Sequence, residues 1–186
     1  MSFTRSNQSK SLPWDVVEKE IKKEVDWLRN VIDTFSKEEK SIPLNEKGIP
    51  VSCRECLLRK IAILIISGKV KAKEIKKSPK LKSLWLNKKG RKIKNKKKIY
   101  HGSDWHSKTM EKIESHFLLQ SYQVIREPTL HWGRADLGAF KRNKQDLYIE
   151  VGTTSFFKLW INLQTMKHFT YLIVPNDDKL IEFTCS

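Results

Sequence analysis

Between Arg134 and Lys167 the hydrophobic period changes twice, and that change limits the folds open to the chain. Ala135-Asp136-Leu137-Gly138-Ala139-Phe140 is a short apolar run holding one acid. The charged turn Lys141-Arg142-Asn143-Lys144-Gln145-Asp146 follows. Leu147, Ile149 and Val151 then alternate with Tyr148, Glu150 and Gly152, the period of a strand. Two such runs joined by a polar turn predict a hairpin with a longer loop. After Gly152 the period lengthens. Phe156, Trp160, Leu163 and Lys167 fall on one helical face, with Lys158, Asn162 and Thr165 on another.

Asp136 and Glu150 are thereby expected on neighbouring strands, with an amphipathic helix directly after them. Glu150 faces away from the Leu147/Ile149/Val151 row. An ionised carboxylate on a sheet covered on both sides is costly unless it is paired or bound to a metal. Two carboxylates brought together repel, and a divalent cation relieves the repulsion. Ligands that are all oxygen favour Mg²⁺ or Mn²⁺ over zinc.

These residues resemble the core of the PD-(D/E)XK nuclease superfamily. The resemblance implies a helix, three strands, a helix and a further strand, with an Asp near the start of the second strand and Glu-x-Lys on the third. Asp136 matches the Asp, and Glu150, fourteen residues on, matches the Glu. Gly152 stands where the family has its Lys, so the resemblance passes the basic role to Lys158 on the following helix. It further implies a Mg²⁺ or Mn²⁺ ion held by Asp136, Glu150 and the carbonyl of Val151. An acid from the first helix would join them, with Glu111 the best match by position and Glu114 and His106 behind it. The reaction implied is cleavage of DNA phosphodiester bonds. Gly152 in place of Lys also admits a second reading, a DNA-binding protein whose nuclease-like domain is inactive.

Charge is placed unevenly along the 186 residues. Residues 1–50 and 101–186 each balance, with nine and ten charges of either sign, whereas residues 51–100 hold 18 basic and 2 acidic side chains. The whole net charge of +16 therefore lies in the middle of the chain. Localised excess of this kind points to a polyanion, most simply nucleic acid. The competing reading is a lysine-rich solvated face. No run of eighteen apolar residues occurs, so no membrane span is expected. The first residues lack a secretory apolar stretch, and the expected setting is soluble and cytoplasmic. Cys53 and Cys56 have zinc-like spacing without a second pair; the plainer reading is two small buried residues on a helix.

Along the chain, Trp14, Val17, Ile21, Val25, Leu28 and Phe35 predict an amphipathic helix ending near Lys40, packed within the chain or against a second copy. Pro43, Gly48 and Pro50 punctuate a linker. Ser52-x-x-Glu55 predicts a helix start, and Ser67-Gly68 its stop. A short helix over 71–77 and a third over about 80–87 complete the expected set. Helix, short helix, helix and a Lys/Gly-rich turn resemble a winged helix-turn-helix. That resemblance implies DNA contacts from Lys80 and Lys82 on the third helix and from Lys88, Lys89, Arg91, Lys92 and Lys94 on the wing. Lysine grips phosphate and reads bases poorly, so little sequence preference is expected.

The resulting expectation is an α/β protein in three parts. Residues 1–50 form a helix and linker, 51–100 a helical, winged-helix-like basic region, and 101–186 an αβββαββ restriction-endonuclease-like core with a mixed sheet. The last strand, around Leu180 to Thr184, is expected at the sheet edge. A homodimer would suit cleavage of both strands, although the sequence identifies no interface.

Overall fold

The computed structural model describes residues 13–32, 54–76, 104–176 and 179–186. Among them are four helices: α1 (Trp14–Ile32), α2 (Arg54–Ile66), α3 (Asp104–Leu119) and α4 (Phe156–Thr165). Six strands form one sheet: β1 (Val70–Lys76), β2 (Gln123–Arg126), β3 (Leu137–Phe140), β4 (Asp146–Val151), β5 (Phe169–Val174) and β6 (Lys179–Cys185). Their order across the sheet is β1-β6-β5-β4-β3-β2. Only β4 and β5 run parallel, joined through α4; the other neighbours are antiparallel, so the sheet is mixed. From α3 onward the elements follow the αβββαββ order expected from the sequence.

Each face of the sheet has its own apolar layer. On one face α4 and α2 lie against the strands, and α1 packs on α2 through Ile21, Val25, Leu28 and Val31. That layer runs unbroken through Leu57, Leu58 and Ile61 of α2 to Leu159 and Leu163 of α4 and to Tyr171, Ile173 and Phe183 of the sheet. The other face carries α3, whose Met110 and Ile113 cover Leu137, Ile149 and Val151. Arg126 of β2 fixes α3 in place through an ion pair with Glu114, which is thereby engaged in anchoring the helix.

Four expectations are corrected. Residues 70–76 form a strand, not the short helix expected over 71–77. Lysine and alanine read as helix formers, but Val70 and Ala72 alternate with Lys71 and Lys73, and β6 supplies a ladder for the whole segment. Lys71, Lys73 and Lys76 then line an outer strand, where charge discourages further pairing. The helix-helix-helix order of a winged helix-turn-helix is thus not met at its second element. Secondly, β6 is interior, because β1 pairs with its outer side. Thirdly, the described part of 51–100 is no separate unit, since α2 and β1 share the core of the sheet. Fourthly, Cys56 is exposed, not buried. Cys53, the expected third helix over 80–87, and Lys80, Lys82, Lys88, Lys89, Arg91, Lys92 and Lys94 lie outside the described residues.

Ile61 is fully buried where α1, α2 and the sheet meet. Ile61→Ala is expected to cost about 2–5 kcal/mol, as for other large-to-small changes in a core. In urea titrations, far-ultraviolet dichroism and tryptophan fluorescence should shift together in one transition. A separate transition that leaves the sheet intact would contradict a shared core.

Candidate functional site

Two carboxylates and a lysine meet at the rim of the sheet, where β4 ends and α4 begins. Glu150, the second-last residue of β4, points toward α4, and its side chain is only 6% exposed. Asp136 lies one residue ahead of β3, beside the end of β4, with Asp136 N–H donating to Ile149 O at 3.1 Å. Its Oδ2 accepts the Val151 N–H at 2.7 Å and lies 3.3 Å from His106 Nε2 of α3. The Asp136 and Glu150 carboxylates thus flank the Val151 peptide, close enough for the charge of one to act on the other.

Lys158 enters from the first turn of α4. Ser155 caps that helix, its hydroxyl accepting the Lys158 N–H at 3.2 Å. The ammonium group donates to Glu150 Oε1 at 2.5 Å and to the carbonyl of Arg134. The Tyr171 hydroxyl donates to the same Glu150 oxygen at 2.9 Å. Burial pushes the Glu150 carboxyl above the usual carboxylate range; Lys158 opposes this, and Asp136 adds to it. Burial, followed by the charge of Glu150, holds the Tyr171 phenol well above its ordinary value, so it remains a donor.

Gly152, where the resemblance would place a lysine, has a backbone that disfavours any side chain. The chain turns out of β4 there with φ at +91°, a conformation that side-chain-bearing residues rarely adopt. Gly152 N–H donates to Val174 O at 2.8 Å, which fixes the turn to β5. The amine therefore comes from α4, six residues later.

Asp136, Glu150, Val151 and Lys158 are brought together, but Glu111 is not. Five helical positions separate it from His106, a rotation of about 140°. Glu111 is exposed and lines a shallow surface groove with Lys108, Lys112 and Ser115. His106 takes the place beside Asp136 that had been expected for Glu111. Glu127 is exposed and lies 3.5 Å from Arg134. Asn162, expected away from the core, is fully buried; Leu159 shares its face, and Lys167 lies beyond the end of the helix. Its amide accepts the Trp132 N–H and donates to the Trp132 carbonyl, both at 2.9 Å. The sequence signal for this was one amide between two apolar positions, four residues after Lys158. Tyr171 also escaped sequence reading, because it sits unmarked in an apolar strand and only its buried hydroxyl demands a partner.

No protein-family model, curated protein or solved structure matches this chain. Chemically, the site offers two carboxylates and neighbouring main-chain carbonyls, with the His106 ring nitrogen hydrogen-bonded to Asp136. Among the described residues, no three His, Cys, Asp or Glu side chains gather as a metal cage. Two carboxylates suit Mg²⁺, which keeps several of its waters, better than zinc, which favours nitrogen and sulfur.

Two predictions follow from this geometry. Glu150 has a raised folded-state pKa, so its contribution to stability is full below the unfolded value and is lost as pH rises through the folded value. Lys158→Met removes the opposing charge and enlarges that loss. Urea titrations should find the variant close to the parent near pH 4 and roughly 3 kcal/mol less stable near pH 8; an equal deficit at both would contradict it. Gly152→Lys, which puts a side chain on this positive-φ backbone, should destabilise the fold by about 1–3 kcal/mol. An unchanged melting temperature would show that the turn tolerates a side chain.

Proposed function

We propose that the protein is a Mg²⁺- or Mn²⁺-dependent DNA nuclease of the PD-(D/E)XK kind, with α3 to β6 as its restriction-endonuclease-like core. The observation that carries this reading is the convergence of Asp136, Glu150 and Lys158 from three elements at the end of β4. The αβββαββ order and the parallel β4–β5 pair are consistent with it.

Asp136, Glu150 and the Val151 carbonyl would hold the ion, which when bound would polarise a phosphoryl oxygen and acidify a water. Lys158 offsets part of the desolvation of Glu150 and favours its ionised form. Its ammonium also sets positive charge at the mouth of the site, where a phosphate would arrive. Val151 N–H and His106 orient Asp136. Tyr171 and Ser155 hold Glu150 and the first turn of α4 in place. The lysine-rich segment of residues 51–100 would add affinity through counterion release, with little sequence preference.

The alternative is a DNA-binding protein without chemistry, favoured by Gly152 at the motif position. Lys158 weakens that objection, since an amine reaches Glu150 by another route. Plasmid and labelled oligonucleotides incubated with Mg²⁺, Mn²⁺ or EDTA separate the two. Asp136→Ala and Glu150→Ala should lower cleavage by at least about a hundredfold, the scale of losing transition-state charge stabilisation. Their gel-shift affinity in EDTA should match the parent. Equal cleavage by variants and parent would defeat the assignment. Salt-sensitive binding by a parent that never cuts would select the alternative.

A further inference from the structure

The loop between β2 and β3 carries an indole that the carboxylate site does not use. Trp132 is 53% exposed, yet its main chain is clamped on both sides by Asn162. Asn162 is fully buried and spends another amide hydrogen on the Lys158 carbonyl at 2.8 Å. The loop base is closed by the Thr129–Arg134 bridge, and Leu130 N–H donates to Gly133 O at 2.9 Å. Scattered surface hydrophobes are ordinary. A tryptophan whose main chain is fixed by a buried amide is a different object, because part of its ordering cost is met by the fold before anything binds.

The same loop is tied to the site. Arg134, two residues on, gives its carbonyl to the Lys158 ammonium that holds Glu150. A side chain at Gly133 would lie 3.7 Å from the Lys158 methylenes, so the loop backbone runs along that lysine. Two residues of chain span at most about 7 Å, which keeps the Trp132 main chain close to the Arg134 carbonyl that Lys158 holds. Behind it, Phe157 meets Trp132 edge-on at 5.4 Å and Trp160 lies 5.7 Å further on, with the Lys60 ammonium 4.3 Å from the Trp160 ring. The exposed indole is thus the outer end of a row of rings whose inner end carries a cation, a surface for a base beside a charge for a phosphate.

We propose that Trp132 is a base-stacking platform and that the site takes an unpaired DNA strand in preference to an intact duplex. This rests on the nuclease reading of the neighbouring carboxylates. A duplex hides its base faces within its own stack, whereas a single strand offers them to an indole. Stacking of this kind tolerates any sequence, in keeping with the lysine-dominated charge of the chain.

The test uses the full chain with Asp136→Ala, so that no strand is cut, and reads fluorescence anisotropy of a labelled oligothymidylate and of a duplex of equal length. Adding Trp132→Ala should weaken oligothymidylate binding about tenfold or more and duplex binding less than about twofold, while Trp132→Phe stays within about threefold of the parent. Trp132→Leu keeps bulk against Phe157 without an aromatic face, and should behave as Ala does even if Ala itself misfolds. Unchanged oligothymidylate binding in Trp132→Leu, equal losses on both substrates, or no oligothymidylate binding by the parent would overturn the proposal. If Asp136→Ala still cuts, the nuclease reading falls on that result alone, since the anisotropy readout needs no cleavage.

Discussion

A carboxylate buried at the end of a central strand has to be compensated, and much of the local structure follows from Glu150. Leaving it ionised and unpaired there would cost several kcal/mol. Lys158 and Tyr171 converge on one of its oxygens from α4 and β5. Lys158 reaches that position because Ser155 starts α4 at the right residue and because Gly152 lets the chain turn out of β4 with a positive φ. Asp136 is set beside this pair by the Val151 N–H. The repulsion between the two acids is part of what a divalent cation would relieve.

Much of this was legible before any coordinates. The alternation over Leu147 to Val151 and the apolar run of Phe169 to Val174 correspond to β4 and β5, because each has a sheet neighbour on either side and little competing propensity. The helical spacing after Gly152 located α4 and Lys158. The strand at residues 70–76 was hidden, because its helix-forming composition is overruled by pairing with β6, more than a hundred residues away. Long-range pairing of that sort leaves only a faint period-two trace. Sequence position gives which helix Glu111 and His106 share, while rotation about the helix axis decides which of them faces Asp136. Asn162 gave only the faint signal of an amide between apolar positions, and Tyr171 gave none, since both act by satisfying partners contributed by distant segments.

The described parts of residues 51–100 are built into the same body as the later elements. α2 lies within the same apolar layer as α4 and β5, and β1 completes the sheet beyond β6. Lys60, near Trp160, and Lys73, on the outer strand, are therefore fixed to the same body as Asp136 and Glu150. In the proposed reading, a phosphate held by Lys60 or Lys73 would lie in a constant relation to the carboxylates. Among the described residues, no helix is long and apolar enough to cross a membrane.

The central claim is that Asp136 and Glu150 share one hard cation while Lys158 stands beside them. Electron paramagnetic resonance of Mn²⁺ titrated into the purified chain measures this directly, without DNA or turnover. The account predicts a single bound ion per chain in the parent, displaced by excess Mg²⁺ and lost in both Asp136→Asn and Glu150→Gln. Equal binding in the parent and both variants, or none in the parent, would contradict it.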